Sequence, residues 1–392
     1  MSIDKQRVRQ DTPGTQTVIH LNSAGASLMP TPVLQTQINH LKLEADIGGY
    51  EAAGRCADAI EQVYHSLASL INSQTSEIAV VENATVGWMM AFYAIPFQPG
   101  DRILTAEAEY AANYLAFLHM ARMKGVLIEV IPSNEYGETC PQALENMLDE
   151  RVKLIAISHV PTNGGLVNPV AKIGAIARRH NILFLVDACQ SAGQIPLDVN
   201  AIQCDLLTAT SRKYLRGPRG MGFLYVRAER LAQLHPPMID LYGANWTAID
   251  QYQLRDDARR FENWENNYAA KLGFGAAVDY ALNIGIDAIE QEISRLATKL
   301  RQSLSDMAAV TLHDIGRQQC GIISFSIQDK DAADIQQQLR AENINLNISR
   351  PSSTLIDATR RQLPNLLRAS VHYYNSDEEL EQFVHTLRKI MQ

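Results

Sequence analysis

The 392-residue chain reads as an α/β protein: a large domain with a mostly parallel seven-stranded sheet, then a smaller C-terminal α/β domain. Three features predict this. Between about residues 60 and 230, short β-branched apolar runs alternate with amphipathic helical stretches, which is the pattern of βαβ units. The runs are apolar throughout, as strands covered on both faces must be. At 392 residues the chain also exceeds what one compact core accommodates, so more than one domain is expected.

The expected strands, in order, are Glu77–Val81, Arg102–Thr105, Leu127–Ile131, Lys153–Ser158, Ile182–Val186, Leu206–Thr208 and Gly222–Val226. Pro141–Asp149 and Val170–Arg179 read as helices between them. Leu231–Arg260 reads as irregular. Two long helices follow, YAAKLGFGAAVDYALNIG and the stretch Ile286–Leu304. Then come GIISFSI, a helix at Ala332–Ala341, LLRASVHYY and a closing helix from Asp377. The expected division is an N-terminal arm over residues 1–20, a large domain over 21–265 and a small domain over 266–392.

Lys plus Arg total 35 against 43 for Asp plus Glu, a net charge of −8 that argues against non-specific nucleic-acid binding. No apolar run approaches the ~18 residues that span a bilayer, and the first residues carry no secretion signal, so a cytoplasmic protein is expected. Five scattered cysteines without CxxC spacing argue against a disulfide framework and a zinc site. The ten histidines form no ligand motif, and no metal is expected.

Three segments carry chemistry. In Ala209-Thr-Ser-Arg-Lys213 the lysine lies just past a strand end, before a loop containing Gly217, Gly220 and Gly222. A lysine there can form a Schiff base with an aldehyde cofactor, although an isolated lysine before a turn is more often a surface residue. Asp187 ends the apolar run ILFLV, where a carboxylate can keep a pyridine nitrogen protonated; helix N-capping is the alternative. At Ala84-Thr85 a strand turns into a helix, leaving N–H groups and a hydroxyl that suit a phosphate or a simple cap.

Together these segments resemble the class V aminotransferase family of fold type I pyridoxal-phosphate enzymes, which includes cysteine desulfurases, isopenicillin-N-epimerase-like proteins and ergothioneine-pathway carbon–sulfur lyases. The likeness extends from Leu21-Asn-Ser-Ala-Gly25 to Arg368-Ala-Ser-Val-His-Tyr-Tyr-Asn375. It implies pyridoxal 5'-phosphate as cofactor, Lys213 as the Schiff-base lysine, Asp187 at the pyridine nitrogen and Gln190 near the phenolic oxygen. By the same likeness Ala84, Thr85, Thr210 and Arg212 hold the phosphate, Tyr110 stacks on the ring, and Thr162 contacts the phenolic oxygen and the substrate carboxylate. Asn22, Asn163 and Arg368 fall on the substrate side, with Arg368 gripping the α-carboxylate. A homodimer is also implied.

Two departures matter. The family's Gly-Thr pair after Phe-Glu is replaced by Asn-Trp-Glu265, and the loop Ser349-Arg-Pro-Ser-Ser-Thr354 lacks the persulfide cysteine of desulfurases. Without a thiolate there, sulfur transfer by the desulfurase route is not expected. Cys189 reads as a buried small residue beside the ring. The expected activity is β-elimination on a cysteine-derived amino acid, its S-conjugate or its sulfoxide. A class V aminotransferase or epimerase is the alternative, and a non-catalytic scaffold the third reading.

Overall fold

The computed structural model describes residues 3–392. Its first half contains α1 (Thr31–Ile47), α2 (Ala57–Ile71), β1 (Ile78–Val81), α3 (Ala84–Tyr93), β2 (Arg102–Thr105), α4 (Ala111–Lys124), β3 (Leu127–Val130) and β4 (Val152–Ser158). There follow α5 (Val170–Arg179), β5 (Leu183–Asp187), β6 (Leu206–Thr210), β7 (Gly222–Val226), α6 (Tyr268–Ile284) and α7 (Ile286–Ser305). The last part comprises β8 (Val310–Leu312), β9 (Ile322–Ile327), α8 (Ala332–Ala341), β10 (Asn347–Ser349), β11 (Leu366–Ser370) and α9 (Asp377–Met391).

Strands β1 to β7 form one seven-stranded sheet in the order β1-β7-β6-β5-β4-β2-β3. Only β7 runs antiparallel to its neighbours, so the expected mostly parallel α/β sheet is present. Successive residues of each strand point to opposite faces. Leu154, Ala156, Leu183 and Leu185 pack with Trp88 and Phe92 of α3 and Phe117 of α4. Ile155, Ile157, Phe184 and Val186 pack with Leu67 of α2, Ile173 of α5 and Phe274 of α6. Both faces are therefore buried, which is why these strands read as unbroken apolar runs. Leu154, Ile155, Phe184 and Leu185 are fully buried, and each such side chain contributes about 1.5–3 kcal/mol.

The second sheet has the order β8-β9-β11-β10 and is antiparallel. Helices α7, α8 and α9 close a second core over it through Leu296, Leu300, Leu339 and Phe383. The segment before α1 joins this core. Ile19–His20 pairs in parallel with Ile344–Asn345, Asn22 bridges Ser370, and Leu21 and Ala24 are buried there. Helix α6 bridges the two cores: Ala270, Phe274 and Val278 face the large sheet, whereas Ala281 joins the second core. One stretch departs from expectation. Within 231–260 lies a hairpin, Ala244–Ala248 with Gln251–Leu254, whose side chains are mostly exposed. Among the described residues no single helix is long and apolar enough to cross a membrane.

Candidate active site

Strands β2, β4, β5 and β6 are parallel, so their carboxyl ends share one edge. In such sheets that edge is where ligands bind. A cavity of about 180 Å³ opens there, and Ala84, Thr85, Tyr110, Thr162, Asp187, Gln190, Thr210, Arg212 and Lys213 all line it.

Asp187 ends β5 opposite Ser158 of β4 and is buried. Its Oδ1 accepts the backbone N–H of Cys189 at 2.9 Å, and its Oδ2 accepts Nδ2 of Asn113 at 2.9 Å. No helix follows it; residues 189–194 form turns, so the helix-capping alternative does not apply. Two donors leave a carboxylate with acceptor capacity to spare on the side that lines the cavity.

Lys213 follows β6 and is half-buried, and among the described residues its ammonium has no hydrogen bond or ion pair. Burial lowers its pKa, with Cys189 and Asp187 pulling the other way. Burial also pushes the Cys189 thiol well up, and the Asp187 charge adds to that. The thiol beside the lysine is therefore neutral and a weak nucleophile.

At the opposite wall α3 begins. Asn83 caps it by accepting the Val86 N–H at 3.0 Å, which leaves the N–H groups of Ala84 and Thr85 free of intrahelical partners. Strand β7 passes close by. A Cβ on Gly222 would lie 2.7 Å from the Ala84 nitrogen and 2.8 Å from the Ala209 oxygen, so only glycine lets the helix start there. Thr210 and Arg212 face the same end; the Arg212 guanidinium also donates to the Gly25 carbonyl. Tyr110, the residue preceding α4, is 40% exposed at the cavity mouth.

Asn22, Asn163 and Arg368 do not line the cavity; they stand behind the Thr162 wall. Arg368 of β11 is buried and donates to the carbonyl and hydroxyl oxygens of Thr162, both at 2.9 Å, and to Asn22 Oδ1 at 3.5 Å. Gln190 Nε2 also donates to the Thr162 hydroxyl, at 3.2 Å, leaving that hydroxyl's own proton to donate. Asn163 bonds to the segment that follows β10. Its amide donates to the Arg350 carbonyl at 3.1 Å and to the Thr354 hydroxyl at 2.9 Å, tying down the turn Pro351–Thr354.

The cavity suits a pyridine aldehyde phosphate on its own terms. Gln190 Oε1 is buried with no partner among the described residues, Asp187 has acceptor capacity left, and the Gly222 gap keeps the α3 N-terminus open. Residues not anticipated from sequence also take part. Asn83, Ser158, Val160 and Gly220 line the cavity, and Glu109 and Asn113 stand behind Asp187. The one signal in the sequence for the last pair is their spacing of four residues across a strand-to-helix turn.

The family model described as Aminotransferase class-V matches residues 19–383. A probable cysteine desulfurase of Methanothermobacter thermautotrophicus is 28% identical over 390 residues, covering 98% of this chain and 97% of that protein. The apo structure of the cysteine desulfurase from Thermococcus onnurineus NA1 superposes with a TM-score of 0.90 at 26% identity, covering 100% of this chain and 98% of that one. The fold is also that of the cystine C–S lyase C-DES, solved with its reaction product cysteine persulfide: TM-score 0.87, 24% identity, 96% and 98% covered.

Proposed function

Because the chain belongs to the class-V aminotransferase family, we propose that it is a pyridoxal-phosphate-dependent carbon–sulfur lyase acting by β-elimination on a cysteine-derived amino acid, its S-conjugate or its sulfoxide. The observation that carries this reading is the single cavity in which Lys213 and Asp187 meet, with Arg368 one hydroxyl away behind Thr162.

Pyridoxal phosphate, when bound, supplies a carbonyl that condenses with amines and a ring that withdraws electrons from the substrate Cα. Ala84, Thr85, Thr210 and Arg212 would hold its phosphate, and Asp187 its ring nitrogen. Gln190 and Thr162 would hold its phenolic oxygen, and Tyr110 would cover one ring face. Arg368, whose terminal nitrogens are held by Thr162 and Asn22, would supply the cation that draws the α-carboxylate to the Thr162 wall and so orients the Cα bond that breaks. Lys213, whose proton affinity is lowered by burial, takes the proton from Cα. The β-sulfur group then leaves, and hydrolysis yields pyruvate and ammonia.

Sulfur transfer to a loop cysteine, the route of a desulfurase, lacks its nucleophile. Residues 349–354 hold no cysteine, their turn Pro351–Thr354 is fixed by Asn163, and the thiol lining the cavity is that of Cys189, whose proton affinity burial raises. A transaminase or epimerase would use the same residues. The test is to supply cysteine, cystine, cysteine sulfoxides and bulky S-conjugates and measure pyruvate. Pyruvate without any 2-oxo acid supports the lyase; a new amino acid formed only with a 2-oxo acid supports the transaminase.

The proposal includes a homodimer. Trp246, Ile249 and Tyr252 on the projecting hairpin are 75%, 95% and 59% exposed, an apolar tip that a second copy would cover. It also includes a cytoplasmic location, in keeping with five free thiols. Light scattering checks the first and cell fractionation the second.

A further inference from the structure

Behind Asp187 lies a second buried carboxylate that makes no contact with the cavity. Glu109 follows β2 and is 3% exposed. Its Oε1 accepts from the Tyr110 N–H at 2.9 Å, Asn113 Nδ2 at 2.8 Å and the Ser158 hydroxyl at 2.6 Å. Its Oε2 accepts from the Ser158 N–H at 3.0 Å and the Thr105 hydroxyl at 3.2 Å. Among the described residues it has no cationic partner. Five donors fix the carboxyl group in place, while burial, with the Asp187 charge adding to it, raises its proton affinity.

Asn113 links this group to Asp187. Its Nδ2 donates to Glu109 at 2.8 Å and to Asp187 Oδ2 at 2.9 Å, so both amide hydrogens are committed to carboxylates. The amide has one workable orientation, because its oxygen facing two carboxylates would be repelled. The three groups come from the ends of neighbouring elements: Glu109 after β2, Ser158 at the end of β4 and Asp187 at the end of β5. Asn113 sits in the first turn of α4, where its backbone N–H is held by the Tyr110 carbonyl.

We infer that Asn113, anchored by Glu109, is a positioning residue that aims the Asp187 carboxylate at the cofactor's pyridine nitrogen. The inference rests on the reading of the cavity as a pyridoxal-phosphate site. A purely structural Asn113, knitting α4 to the strand ends, would support cofactor binding without regard to the ring nitrogen.

The distinguishing experiment compares affinities for pyridoxal phosphate and for its analogue with C–H in place of the ring nitrogen, measured by fluorescence titration on the full chain. The two proteins are wild type and Asn113→Leu, which matches the amide in size and removes both donors. The wild type should prefer pyridoxal phosphate, and in Asn113→Leu that preference should shrink by about tenfold, the weight of one hydrogen bond to a charged group. Affinity for the analogue should stay within threefold. If the preference is unchanged, whether or not both affinities fall together, the inference is overturned. If Asn113→Leu does not fold, Asn113→Ser carries the same comparison. A wild type that binds neither molecule defeats the cofactor reading itself, and this inference with it.

Discussion

Replacing Asp187 by asparagine barely alters the side-chain volume but removes one negative charge. In the wild type, Oδ1 accepts from the Cys189 N–H and Oδ2 from Asn113, both at 2.9 Å. An asparagine has one acceptor for those two donors, so its amino group must face either the Cys189 N–H or the Asn113 amide. Its remaining capacity toward the cavity is that of a neutral amide. The bond to a protonated ring nitrogen then falls from a charge-assisted pair to at best a neutral one. Losing a hydrogen bond of that class costs about 1.5–3 kcal/mol, or about 10- to 150-fold in cofactor affinity. Fluorescence titration of the purified variant with pyridoxal phosphate reads this directly, and pyruvate formation should fall by at least as much, since the ring's electron demand falls too. Affinity within threefold of wild type, with pyruvate formation retained, would refute the assignment of Asp187 to the ring nitrogen.

Arg368→Lys keeps the charge but loses the guanidinium's bonds to Thr162 and Asn22, so kcat/KM should fall by about 30-fold, mostly through KM; steady-state kinetics with varied substrate will show it. Gly222→Ala places a Cβ 2.7 Å from the Ala84 nitrogen, costing about 1–3 kcal/mol by overpacking. It should also weaken pyridoxal phosphate binding more than pyridoxal binding, because the displaced helix end is the phosphate's. His159 is buried with its pKa lowered to about 4 from 6.5. The folded state therefore takes up this proton later than the unfolded state as pH falls, so stability drops through the window from 6.5 to 4. Between pH 7.5 and 4.5 this amounts to about 2–3 kcal/mol, and urea unfolding of His159→Phe should lack that share of the pH dependence.

Much of the fold could be read in advance because burial on both faces leaves a local trace. Strands β1 to β7 start and end within a residue or two of their apolar runs, and α5 falls at Val170–Arg179. The hairpin at Ala244–Leu254 left no such trace: almost none of its side chains meets a core, so no alternation marks it. The parallel pairing of Ile19–His20 with Ile344–Asn345 joins positions more than three hundred residues apart and has no local signature. The same contrast holds for the site. Lys213, Asp187 and Ala84-Thr85 stand at strand ends, where position itself implies a role. Glu109 and Asn113 matter through hydrogen bonds to Ser158 and Asp187 on other strands, which only the folded chain brings within reach.

The most direct test of the account is to reduce the purified, pyridoxal-phosphate-loaded protein with borohydride and locate the label by peptide mass spectrometry. The account predicts one reduced pyridoxal phosphate per chain on Lys213, none in Lys213→Ala, and loss of pyruvate formation in that variant. A label on another lysine, or an unlabelled wild-type protein, would contradict it.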